Sequence, residues 1–183
     1  MNRAKRAGKA LSLAILLFIL LGVSLDIGVD NLSPQFLIDY FINPKELRTP
    51  ELIQILVDEA RKLAGRASVT AVVSAFAPVF IWLVITSFTR VELPGEARRR
   101  RWIWALLGFV GVLAGGGVVW LSCNSEQYVA MLQENLSVYL FIATSGVSLL
   151  SFLLVTAIAT PSLETPAVLG GFLFRGVRSR LAL

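Results

Sequence analysis

Apolar residues gather in four windows, about Ala10–Leu25, Val69–Phe88, Trp102–Ser122 and Leu136–Thr160, and every charged side chain lies outside them. An ionised group at mid-bilayer costs roughly 2.5–3.5 kcal/mol on insertion scales, so windows cleared of charge at this length read as transmembrane helices. The pattern predicts an all-α, polytopic membrane protein with four transmembrane helices, both termini cytoplasmic and a helical extracytoplasmic first loop. The chain reads as a single membrane domain over 1–183. Between the spans lie an outer loop at 26–68, a basic cytoplasmic loop at 89–101 and a short outer loop at 123–135. A cytoplasmic or interfacial tail follows at 161–183. At about 1.5 Å per residue the first window covers only about 24 Å, so it borrows from Asp26–Val29 or thins the bilayer locally.

The first loop carries its own helix grammar. Ser33-Pro34 and Thr49-Pro50 each pair a favoured N-cap with proline at the first helical position. Asn43-Pro44-Lys45-Glu46 offers a third start, with Glu46 placed for a capping box. The run after Pro34 is apolar but for Asp39, which predicts a short helix on the membrane interface or under a partner. From Pro50, Leu52, Ile53, Leu56, Ala60, Leu63 and Ala64 recur at helical spacing, with Asp58, Glu59, Arg61 and Lys62 on the remaining surface. Only Gly65 separates this segment from the second span, so one long helix is expected. Its apolar stripe either covers the outer ends of the spans or docks a partner.

Inside the spans the small and polar residues fall into stripes. Gly108, Gly111 and Gly115 share an arc of roughly 60° at 100° per residue, and Gly116 and Gly117 extend the small surface. Such a face lets another helix approach closely where lipid and helix are equally apolar. Ser137, Thr144, Ser148 and Ser151 share a second arc of about 60°, either packing glue or the wall of an oligomeric pore. In the second span Thr70, Ser74 and Ala77 lie on nearly one face. Pro78 deprives the Ser74 carbonyl of its helical donor there, which predicts a kink. Trp102, Trp104 and Trp120 bracket the third span as interfacial anchors would.

Composition narrows the chemistry. With 183 residues, 56% of them hydrophobic, and a mean hydropathy of +0.73, no separate soluble domain is expected. The chain has no His, which removes His-ligated metal, His-ligated haem and a His general base. The lone Cys123 forms neither an intrachain disulfide nor a metal cage. Phosphate-binding, dinucleotide and hydrolase motifs are absent from the sequence, so no catalytic, cofactor-binding or metal-binding residue is assigned.

The net charge of +5 is unevenly spread. Basic residues cluster at Arg3–Lys9, at Arg90 with Arg98, Arg99, Arg100 and Arg101, and at Arg175–Arg180, whereas the first loop is net acidic. Excess Lys and Arg in short loops marks the cytoplasmic face, so the basicity needs no nucleic acid to explain it. The four consecutive arginines are placed to contact anionic lipid headgroups. Basic Met1–Lys9, its apolar run and Gly22-Val23-Ser24 also resemble a signal peptide; an uncleaved anchor is the expectation. The weight of Arg over Lys favours a bacterial inner membrane.

The reading that follows is a non-catalytic integral membrane subunit, structural or accessory, in a larger membrane protein complex. It would be held by the Gly108, Gly111 and Gly115 face and the outer loop, with other membrane subunits and lipids as partners. Two alternatives stand beside it: a homo-oligomeric channel lined by the fourth-span hydroxyls, and a membrane sensor or enzyme using Asp58 and Glu59.

Overall fold

A computed structural model describes residues 3–43, 49–88, 96, 100–124, 133, 135–160 and 168. Among them are five helices: α1 (Arg3–Asp30), α2 (Pro34–Phe41), α3 (Pro50–Phe88), α4 (Arg101–Cys123) and α5 (Leu136–Ala159). All but α2 are long and apolar enough to cross a membrane.

Local signals set the helix ends. The Ser33 hydroxyl accepts from the Phe36 N–H at 3.1 Å, with Pro34 at the first helical position. The Thr49 hydroxyl accepts from the Leu52 N–H at 3.4 Å in the same way at the head of α3. These caps satisfy backbone donors that no helical carbonyl reaches. The third expected start lies largely in 44–48, outside the described residues. Gly65 does not interrupt α3, which runs unbroken for 39 residues through both Gly65 and Pro78. At 1.5 Å per residue that is about 58 Å, nearly twice the roughly 30 Å of bilayer hydrocarbon, so one end projects.

α3 is the axis of the molecule, packing on all four other helices, while α1 leans mainly on α3 and less on α5. The most apolar window of α3 is 44% buried and that of α1 only 17%, so α1 is the peripheral span. The buried residues form two clusters. One joins Ala10 and Ala14 of α1, Val79 and Trp82 of α3, Trp104 of α4, and Phe152 and Val155 of α5. The other joins Leu37 and Phe41 of α2, Leu56 and Ala60 of α3, Val119 and Cys123 of α4, and Leu136 of α5. The beginning of α1 and the end of α5 therefore meet at one end of an up-and-down bundle. α2 and the first turns of α3 close the other end. Of the two readings of the apolar stripe after Pro50, coverage of the span ends is the one this packing realises. Val168 is buried in the first cluster, so the chain after α5 returns to the bundle there.

One anchor is misread by the sequence. Trp104 is buried, whereas Trp102 is 82% exposed and Trp120 is also exposed. Two residues on a helix differ by about 200°, so Trp102 and Trp104 must point to opposite sides, and only one can face lipid.

Candidate functional site

Midway between the two apolar clusters α3, α4 and α5 meet at an uncharged node built from glycines and hydroxyls. Ser74 occupies its centre. Its hydroxyl donates to the Ala71 carbonyl at 3.1 Å and lies 3.0 Å from the Ser148 hydroxyl of α5. A hydroxyl carries one proton, so with Ser74 committed to Ala71, Ser148 is the donor between the two.

The glycine face of α4 presses onto this pair. A β-carbon at Gly115 would collide with the Ser74 hydroxyl, and one at Gly111 would stand 3.0 Å from the Ser74 carbonyl and 3.1 Å from the Pro78 ring. That carbonyl is the one whose helical donor Pro78 removes. At Gly108 the added carbon would meet the Phe152 ring at 2.8 Å. Gly116 lies against the Ser145 hydroxyl and the Phe141 ring, but Gly117 has open space and adds nothing to the contact. The surface is thus Gly108, Gly111, Gly115 and Gly116, used within this chain.

Nearer the α1 start, two indoles tie the same helices together. Trp82 Nε1 donates to the Thr160 hydroxyl at 2.9 Å, and Trp104 Nε1 donates to the Thr156 hydroxyl at 3.1 Å. The Thr156 hydroxyl passes its own proton to the Phe152 carbonyl at 2.7 Å, and the Trp104 ring packs on Phe152 at 5.4 Å between centroids. Sequence periodicity missed Thr156 and Thr160 because they stand roughly 80° and 120° around the helix from the near edge of the arc formed by Ser137, Thr144, Ser148 and Ser151. α5 buries both faces there, one toward α3 and one toward α4.

Thr144, Ser148 and Ser151 are buried inside the single chain, Ser148 to 1% exposure, and Ser137 is half-buried. A pore lined by them would require α5 to turn its packed face outward. Pro78 is buried within α3. Arg98 and Arg99 lie outside the described residues; Arg100 precedes α4 as its N-cap and Arg101 is its exposed first residue. Asp58 is exposed and accepts from Gln54 at 3.5 Å, while Glu59 pairs with Lys62 at 2.6 Å on the helix surface. Among the described residues no group of three or more His, Cys, Asp or Glu comes together as metal ligands. Helical spacing put Arg61 on the remaining surface of α3, yet its guanidinium donates to the Leu32 carbonyl at 3.2 Å and so clips the α1–α2 corner to α3.

Fold and node together describe a multi-pass helical membrane protein with an uncharged, internally stitched core. Among protein-family models, curated proteins and solved structures, none matches this chain.

Proposed function

We propose that the protein is a non-catalytic integral membrane subunit with a structural or accessory role in a larger membrane protein complex. The observation that carries this reading is the stitching of α5 to its neighbours at Ser74–Ser148, Trp82–Thr160 and Trp104–Thr156. Polar groups so committed hold helices in register, and an interior of this kind suits a scaffold better than a substrate path. Because the glycine face serves contacts within the chain, neighbouring subunits would meet the lipid-facing sides of the spans. Native mass spectrometry of the tagged protein in gentle detergent tests this. A hetero-complex is the expected result, and a chain found only alone or with copies of itself overturns it.

The placement proposed with this role is a bacterial inner membrane, both termini cytoplasmic, with Arg98–Arg101 against anionic headgroups at about 1 kcal/mol per charge. Its support is the charge asymmetry of the sequence, since basic residues dominate the segments flanking the α1 start and the α4 start. A C-terminal phosphatase fusion, active only outside the cytoplasm, should be silent; an active fusion removes the placement.

A further inference from the structure

We propose that α2 is seated in the headgroup–acyl boundary of the bilayer, with its Phe36–Tyr40 edge in lipid and its Gln35–Asp39 edge in water. The partner of this surface is the lipid interface itself, whether or not the chain serves as a subunit.

Three edges divide α2. Leu37 and Phe41 are buried against the bundle. Gln35 and Asp39 are exposed and bonded to each other, Nε2 to Oδ1, at 2.8 Å. Between these edges Phe36 and Tyr40 pack with their rings tilted at 34° and 4.8 Å between centroids, and Tyr40 remains 60% exposed. An aromatic edge flanked by an anchored edge and a polar edge is the division an interfacial helix needs.

The depth of α2 follows from what holds it. Gln133, three residues before α5 begins, donates its backbone N–H to the Phe41 carbonyl at 3.0 Å and its side-chain amide to the Asp39 carbonyl at 2.6 Å. Leu37 and Phe41 share a buried cluster with Cys123, the last residue of α4, and Leu136, the first of α5. α2 is therefore pinned at the level where two membrane-capable helices end. That level carries further exposed amphipathic rings: Trp120, three residues before the end of α4, and Tyr139, three residues into α5. With Tyr40 they form one aromatic girdle, the arrangement that tyrosine and tryptophan adopt where hydrocarbon meets headgroups.

Spin labels report the position directly. Tyr40→Cys, Phe36→Cys and Gln35→Cys, each in the full chain with Cys123→Ser, are labelled and reconstituted into vesicles of phosphatidylcholine and phosphatidylglycerol. Relaxation by oxygen, which concentrates in lipid, is compared with relaxation by a water-soluble nickel chelate. The oxygen-to-nickel ratio should be several-fold higher at positions 40 and 36 than at 35. Equal access of nickel to all three positions overturns the proposal. So does shielding of 40 and 36 from both reagents, which would mean that protein covers this edge. Two labels on one edge keep the result readable if either variant folds poorly.

Discussion

Gly111 and Gly117 stand six residues apart on α4 and face opposite fates. A methyl at position 111 presses on a backbone carbonyl and a proline ring, neither of which can swing aside, whereas at 117 it enters open space. Gly111→Ala should therefore destabilise the bundle by about 1–3 kcal/mol, the usual penalty of overpacking, while Gly117→Ala should be neutral or stabilising. Unfolding in mixed micelles measures both. Equal effects at the two positions would contradict the node. At Ser148 the hydroxyl carries one interhelical bond, so Ser148→Ala should cost only about 0.6 kcal/mol. A larger loss there would mean that the hydroxyl does more than hold α5 to α3. That these glycines share a face was legible from spacing alone. That the face belongs to the chain's own core was not, because a helical wheel says what points together and nothing about what stands opposite.

At the level of the element, α3 and α2 depend on different local terms. Gly65 lies inside α3 with nothing within 4 Å of an added β-carbon, so its substitution meets no clash. Gly65→Ala should stabilise by roughly 0.5–1 kcal/mol through the backbone freedom that glycine loses on folding. A destabilised variant would indicate that α3 bends there. Ser33→Ala removes the cap of an eight-residue helix and should cost about 0.5–2 kcal/mol, seen first as faster amide exchange over Phe36–Phe41. Both caps, the proline positions and the run-on of α3 were readable in the sequence because they depend on neighbours in the chain. The reach of Gln133 to the end of α2 was not, since the two segments stand 94 residues apart.

For the whole molecule, the four tryptophans make a test of the packing. Trp82 and Trp104 are enclosed between helices, and Trp102 and Trp120 face outward. In single-tryptophan variants, brominated lipid should quench positions 102 and 120 strongly and positions 82 and 104 weakly. Comparable quenching at 102 and 104 would place α4 differently from the bundle described. Position along the chain made all three α4 indoles look like anchors, because tryptophan at a span end usually is one. Thr156 supplies the acceptor that draws Trp104 inward, and no count along the chain reveals it.

Where the membrane-capable helices lie, and largely where they begin and end, is written in the order of residues along the chain. Those choices rest on the cost of charge in hydrocarbon and on hydrogen bonds a few residues long. That the glycines and hydroxyls face each other within one chain, and that α2 and the head of α3 cover the span ends, emerged only from how the helices pack. Lipid and apolar side chains solvate a helix about equally well, so the pairing of faces is settled by shape and by single hydrogen bonds between distant residues.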